Sequence, residues 1–120
     1  MKVLVTGASG LIGAALSSEL RVRGHEVVGV SRSPSAGSIG WHQMTPEFMG
    51  NVDAVVNLAG ETIAGRWTQA KKRRLVDSRL ETTKLVAAAI GESSNPPSVL
   101  IQASASGYYG ERGDEILDES

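Results

Sequence analysis

Four short apolar runs are spaced along the chain, and each of them ends in small or polar residues. They are rich in β-branched side chains and apolar on both faces, a pattern that predicts buried strands. The runs are KVLVT (2–6), EVVGVS (26–31), VDAVVNLAG (52–60) and SVLIQAS (98–104). Strands of this kind are typical of parallel sheets that are covered on both faces.

Two longer segments between these runs carry apolar residues at helical spacing. The first predicts a helix that stops at Gly24, on the repeat of Leu11, Ile12, Ala15, Leu16 and Leu20. The second predicts a helix over 68–91 with one buried stripe, formed by Val76, Leu80, Thr83, Ala87 and Ile90. Pro96 and Pro97 separate this second helix from the last strand.

The order of these elements predicts the fold. Residues 33–50 are rich in Ser, Gly and Pro and are expected to be mostly loop, with room for a short strand near Ile39–Trp41. The chain then reads β-α-β-(β)-β-α-β, which predicts an α/β protein with a parallel sheet and helices on both faces. Right-handed crossovers give a Rossmann-type strand order, 3-2-1-4-5. We expect residues 1–120 to form one such domain.

The turn TGASGLIG (6–13) lies between the first strand and the first helix and carries glycines at three-residue intervals. Gly7 allows a tight turn, Gly10 lets the backbone approach a pyrophosphate, and Gly13 lets the helix pack on the sheet. The helix N-terminus then directs free N–H groups at the phosphates. This turn predicts a dinucleotide site that also includes Thr6, Ser9, Leu11 and Ile12. A glycine-rich connection without a ligand is the alternative.

The end of the second predicted strand bears on which dinucleotide is bound. An acidic residue at this place accepts hydrogen bonds from the ribose of NAD, whereas an arginine accommodates the 2′-phosphate of NADP. Here the strand ends in Ser31 and Arg32. NADP(H) is therefore favoured over NAD(H), with a solvated surface arginine as the alternative.

The composition of the chain limits which kinds of partner and site it can have. The net charge of −1 argues against a nucleic-acid partner held by broad electrostatics. With no cysteine in the chain, thiolate nucleophiles and zinc–thiolate sites are excluded, and a reducing cytoplasm is the expected location. No segment approaches the ~20 apolar residues that a membrane span needs. The two histidines are isolated, so no metal site is predicted.

Several of these motifs also resemble a known family. TGASGLIG and VDAVVNLAGE resemble the cofactor turn and fourth strand of extended short-chain dehydrogenases/reductases. The motifs NLAGETIAGRW, DSRLETTKLVAAAI and ASASGYYGERGDE are similar to the NAD(P)-dependent epimerase/dehydratase-like branch of that superfamily. The resemblance covers nearly the whole chain. It implies that Leu58, Ala59 and Gly60 border the cofactor, and that the chain is an incomplete, N-terminal portion of a longer protein.

The resemblance also implies how catalysis would begin. A serine at the end of the fifth strand orients the substrate in this superfamily, and Ser104 matches that position best, with Ser106 second. The proton-transferring tyrosine belongs to a Tyr-x-x-x-Lys motif, which is missing from the sequence up to Ser120. Tyr108 and Tyr109 are candidates to replace it, although residues of this kind more often line the pocket.

Three functions remain open at this point. The first is an NADP(H)-binding domain of a sugar-nucleotide-epimerase-like oxidoreductase or epimerase. The second is a non-catalytic NADP-binding sensor or partner-binding module, and the third is a fragment without a ligand. The substrate is unknown from the sequence. The resemblance further implies a homodimer, because extended family members often pair through helices that include the one predicted over 68–91.

Overall fold

A computed structural model describes residues 1–60, 66, 68–104, 113–114 and 116. Its strands are β1 (Lys2–Thr6), β2 (Glu26–Val30), β3 (Ser38–Ile39), β4 (Ala54–Asn57) and β5 (Val99–Gln102). Its helices are α1 (Leu11–Val22), α2 (Pro46–Met49) and α3 (Gln69–Gly91), and a 3-10 turn covers Trp41–Gln43. Each of the four predicted runs contains a strand, and both predicted long helices are present.

The five strands form one sheet in the order β3-β2-β1-β4-β5, and every neighbouring pair is parallel. This confirms the predicted Rossmann-type order. Because each parallel pair needs a crossover, the intervening helices must cover the faces of the sheet. The carboxyl ends of the strands therefore share one edge of the sheet, where ligands bind in folds of this kind.

Apolar side chains fill both faces of the sheet. On one face, Leu4 and Val55 pack with Met49 of α2 and Val86 of α3. The opposite face is built from a second set of strand residues that α1 covers through Leu16 and Leu20. The alternation of Leu4 with its neighbours Val3 and Val5 across the two clusters explains why the strand sequence is apolar throughout.

The predicted buried stripe of α3 is wrong. Val76 and Leu80 are more than half exposed, at 56% and 54%. Ala87 is exposed as well, and Thr83 and Ile90 are half-buried. The buried residues are Lys71, Leu75, Val86 and Ala89. The helix carries two apolar stripes that differ by one position, a rotation of about 100°, and spacing alone does not say which stripe faces the sheet.

The short helix α2 lies in the segment that the composition predicts to be mostly loop. Thr45 caps it, since its side-chain oxygen accepts a hydrogen bond from the Phe48 N–H at 3.1 Å, and Pro46 occupies the first helical position. Threonine followed by proline is a recognised helix start, so a sequence signal was present. The helix matters for the fold because Met49 is completely buried against α3 and the sheet.

Strand β5 differs from the other long strands in its exposure. Val99, Leu100 and Ile101 are 44–56% exposed, although the residues of β4 beside them are buried. Within the described residues, β5 pairs only with β4 and forms an edge of the sheet. Apolar strands in parallel sheets are otherwise covered on both faces.

Candidate cofactor site

The candidate site lies at the carboxyl edge of the sheet, where four strands end in the same row. Thr6 of β1 pairs in register with Val30 of β2 and with Asn57 of β4, and Asn57 pairs with Gln102 of β5. Thr6 and the segments that follow these four residues include every described site residue that the sequence predicts. The fold therefore brings these segments together, as the predicted dinucleotide site requires.

Two of the three turn glycines are required by the protein itself. Gly7 has a φ of +68°, and a Cβ built there would come within 2.9 Å of the Leu58 carbonyl. A Cβ at Gly13 would lie 2.0 Å from the Gly7 oxygen, because α1 packs directly on the turn. Any larger residue at either position would force backbone atoms apart. These two glycines thus fix the close approach of the turn, the loop after β4 and α1.

Gly10 is different, because nothing in the described structure demands a glycine there. Its backbone is extended, with φ −73° and ψ 175°. A Cβ at this position would meet one atom, the Gly7 oxygen, at an ordinary contact distance of 3.4 Å. The space beside Gly10 is therefore open among the described residues. A phosphate group approaching the backbone fits this cradle, and a side chain at Gly10 would fill it.

The N-terminus of α1 faces the same open space without a side-chain cap. Gly10 occupies the N-cap position, and among the described residues no side chain caps the first turn with a hydrogen bond. Thr45 and Thr68, in contrast, cap α2 and α3 through their hydroxyl oxygens. The first two residues of α1, Leu11 and Ile12, are 92% and 69% exposed. The first turn of α1 thus retains N–H groups that can donate to an anion.

The hydroxyl of Thr6 is engaged inside the protein. Its side chain is completely buried and donates a hydrogen bond to Oδ1 of Asn57. The same oxygen accepts hydrogen bonds from the backbone N–H groups of Leu58 at 3.0 Å and Ala59 at 3.1 Å. The motif predicts Thr6 as a cofactor-site residue. Its side chain holds the loop after β4 through these bonds.

Asn57 extends this hydrogen-bonded row to β5. Its Nδ2 donates to Oε1 of Gln102 at 2.9 Å, and its backbone oxygen accepts from the Ala103 N–H at 3.0 Å. Gln102 in turn donates to the Ala103 oxygen at 3.1 Å. The hydrogen bond between Asn57 and Gln102 was not predicted from the sequence. The available signal was a polar residue closing each of two otherwise apolar strands.

Ser31 and Arg32 follow β2 at the same edge. The Ser31 N–H donates to the Ile39 oxygen at 2.9 Å, and the Ser31 hydroxyl oxygen accepts from the Ser33 N–H at 3.1 Å. The first bond extends the pairing of β2 with β3 by one residue, and the second closes a turn directly after the strand. Arg32 is exposed beside this turn. Its guanidinium is thus available to an anionic ligand at the end of β2.

The loop after β4 ends at Gly60, which lies against Arg79 of α3. A Cβ at Gly60 would stand 3.0 Å from Cζ and Nη1 of Arg79 and 3.2 Å from its Cγ. Ser104 is exposed two residues beyond the end of β5. Ser106, Tyr108 and Tyr109 lie outside the described residues. The structure therefore gathers the cofactor-site candidates and Ser104, while the two tyrosine candidates stay predictions.

The part of the chain that the structure describes offers neither a metal-binding group nor a membrane-spanning helix. Its histidine, aspartate and glutamate side chains form no group of three that could hold a metal ion. None of its helices has the length and apolar character that crossing a membrane requires.

The structure combines the glycine turn, the open N-terminus of α1 and the parallel strand order. Together these features define a protein of the Rossmann-type dinucleotide-binding fold class. Comparison with known proteins makes this more specific. Residues 3–120 match the NAD dependent epimerase/dehydratase family. The chain belongs to that family.

Individual relatives agree with this assignment. The chain is 43% identical to the human epimerase family protein SDR39U1 over 112 residues, which is 91% of this chain and 38% of the human protein. The crystal structure of human SDR39U1 (isoform 2) with NADPH superposes with a TM-score of 0.80 at 41% identity, with the same coverage. The structure of MoeE5 in complex with UDP-glucose and NAD gives a TM-score of 0.78 at 27% identity, and covers 99% of this chain and 41% of MoeE5. The chain thus spans about two fifths of the length of these relatives.

Proposed function

We propose that this chain is the NADP(H)-binding portion of an epimerase/dehydratase-family oxidoreductase or epimerase. The observation that carries the proposal is Gly10, which lies at the N-cap of a helix that has no side-chain cap. Packing among the described residues gives no reason for a glycine at this position. A dinucleotide diphosphate supplies that reason, because it needs bare backbone and free N–H groups at the same point. The nicotinamide would accept or return a hydride when bound.

The remaining residues have separable roles in this proposal. The α1 N-terminus binds the diphosphate, and Arg32 binds the 2′-phosphate of the adenosine ribose. Ser104 orients a substrate hydroxyl at the end of β5 through its exposed hydroxyl. The crystal structure of human SDR39U1 with NADPH supports NADP(H), whereas MoeE5 was solved with NAD. Because these two relatives differ in cofactor, the proposed preference for NADP(H) rests on Arg32.

Calorimetric titration of the chain with NADPH tests the proposal. Gly10→Val should weaken NADPH binding about 100-fold, since the side chain occupies the place of the diphosphate. Gly10→Ala should fold with an unchanged melting temperature, because its Cβ makes only an ordinary contact, and should still lose affinity. Gly91→Ala is the matched control, since a Cβ at Gly91 meets no atom within 4 Å. Equal NADPH affinity of the Gly10 and Gly91 variants would overturn the proposal.

A non-catalytic NADP(H)-binding module is the second candidate. It is favoured by one feature of the sequence, the absence of a lysine four residues after either Tyr108 or Tyr109. The first candidate requires a longer polypeptide that supplies a proton-transferring residue and a substrate-binding region. The fraction of the relatives' length that this chain spans supports that requirement. Hydride transfer from bound NADPH to a sugar nucleotide by the longer polypeptide would exclude the second candidate.

A further inference from the structure

Arg79 makes a contact that is unusual for a surface residue of a helix. Its side chain lies across Gly60, so that Cγ, Cζ and Nη1 all stand within 3.2 Å of the place where a Cβ would be. Nη1 also donates a hydrogen bond to the Leu75 oxygen, one turn earlier in α3, at 3.3 Å. The hydrogen bond holds the guanidinium near α3, and the guanidinium and Cγ together cover Gly60. A Cβ at Gly60 would therefore force the Arg79 side chain to shift by a few tenths of an ångström.

The loop 58–60 is held from its other side by the first strand. The Thr6 hydroxyl accepts hydrogen bonds from the Leu58 and Ala59 N–H groups. Gly7 approaches the Leu58 carbonyl so closely that a Cβ would be 2.9 Å away. The loop is thus fixed between the glycine turn and Arg79. Removing Arg79 would free its outer end while leaving the end beside Thr6 unchanged.

The position of this loop along the sheet edge determines which part of a ligand it would meet. Arg32 follows β2, the glycine turn follows β1, loop 58–60 follows β4, and Ser104 follows β5, in the spatial order of the sheet. If the proposed function is correct, the 2′-phosphate lies toward Arg32 and the diphosphate lies at Gly10. The nicotinamide half then extends over the ends of β4 and β5, where loop 58–60 is.

We infer that Arg79 is a positioning residue for the nicotinamide half of the dinucleotide, acting through its contact with Gly60. This inference rests on the proposed function and adds to it a residue far from the glycine motif. Arginine suits the role because its planar guanidinium lies flat against a backbone, whereas a lysine ammonium is a compact, strongly hydrated charge. The positioning comes from the contact between Arg79 and Gly60 rather than from the charge of Arg79.

A double-mutant cycle tests the contact. Arg79→Ala should raise the NADPH dissociation constant about tenfold by releasing the loop. Gly60→Ala should do so to a similar degree, because its Cβ displaces the flexible Arg79 side chain. In the Arg79→Ala background, Gly60→Ala should have almost no further effect, since the space is then vacant. Additive effects would show that the methyl group acts on the ligand directly, and would overturn the inference.

A half-cofactor distinguishes positioning from general destabilisation. Adenosine 2′,5′-bisphosphate carries the adenosine half of NADP without the nicotinamide. Arg79→Ala should bind it as tightly as the unmodified chain does, while its affinity for NADPH falls. Arg79→Lys should restore little of the NADPH affinity, and Arg73→Ala, an exposed arginine on the same helix, serves as the control without effect. Equal loss of affinity for both ligands would contradict the inference.

The same titrations separate the two proposals. If the unmodified chain binds NADPH and Arg79→Ala binds it equally well, the role of Arg79 is wrong and the proposed function stands. If the unmodified chain binds neither NADPH nor the bisphosphate, the proposed function is wrong, and the role of Arg79 falls with it.

Discussion

The buried hydroxyl of Thr6 donates a hydrogen bond to the side-chain oxygen of Asn57, across the β1–β4 pair at the carboxyl edge of the sheet. This one bond joins the strand that precedes the glycine turn to the strand that precedes loop 58–60. Through Asn57 and Gln102 the connection continues to β5. The edge of the sheet that carries the candidate site is thus tied together by side chains as well as by the backbone ladder.

Replacing Thr6 tests the strength of this connection. Thr6→Val keeps the shape of the side chain but leaves Asn57 Oδ1 and the Ala59 N–H without their partner, while the Leu58 N–H keeps its bond to the Thr6 backbone oxygen at 3.2 Å. Each buried polar group that loses its partner costs about 1–3 kcal/mol, so we expect the free energy of unfolding in urea to fall by about 3 kcal/mol. Thr6→Ser retains the hydroxyl and should lose about 1 kcal/mol with its methyl group. Equal stability of the Val and Ser variants would contradict the role given to the hydroxyl.

Gly13 offers a purely steric test of the turn. An alanine Cβ there would lie 2.0 Å from the Gly7 oxygen and 2.9 Å from the Ala8 Cα, so α1 must move away from the turn. We expect Gly13→Ala to lower the free energy of unfolding by about 3 kcal/mol, the upper range for overpacking. Gly91→Ala, on an open face of α3, should leave stability unchanged or raise it by about 0.5 kcal/mol. Thermal unfolding followed by circular dichroism compares the two variants, and a Gly13→Ala chain as stable as the Gly91→Ala chain would refute the close approach.

Much of this architecture could be predicted from the sequence, because strands and turns of this fold are encoded locally. β1 has the predicted bounds, β2 ends one residue earlier than predicted, and β4 is a shorter piece of its run. Gly24 ends α1 as expected, with a φ of +87° and a hydrogen bond to the Arg21 oxygen. Each of these features depends on a few neighbouring residues.

The features that were missed depend on contacts between elements that are distant in sequence. The burial of Val86 rather than Ala87 is set by how α3 packs on the sheet and on α2. The contact of Arg79 with Gly60 joins a helix to a loop, and no periodicity indicates it. The hydrogen bond between Asn57 and Gln102 likewise requires the strand register. Spacing rules carry no information about such pairs.

The proposed preference for NADP(H) over NAD(H) rests on Arg32. Arg32→Asp places a negative charge at the end of β2, which repels a 2′-phosphate and can accept hydrogen bonds from ribose hydroxyls. We expect NADPH affinity to fall about 100-fold and NADH affinity to rise several-fold, as measured by fluorescence titration. Arg23→Asp, on the surface at the end of α1, controls for the change in net charge. Equal affinity of the unmodified chain for NADPH and NADH would contradict the proposed preference.

The exposed apolar stripe of α3, formed by Val76 and Leu80, leads to a prediction about self-association. Val76 and Leu80 are both more than half exposed on a face that turns away from the described core, and apolar patches of this kind often mark contacts with other chains. The predicted homodimer would pair through this face, so Leu80→Glu should shift the chain from dimer to monomer in light scattering after size exclusion. Lys84→Glu, one turn further along α3 and without an apolar side chain to bury, should leave a dimer in place. A chain that is monomeric before any substitution would overturn the predicted dimer.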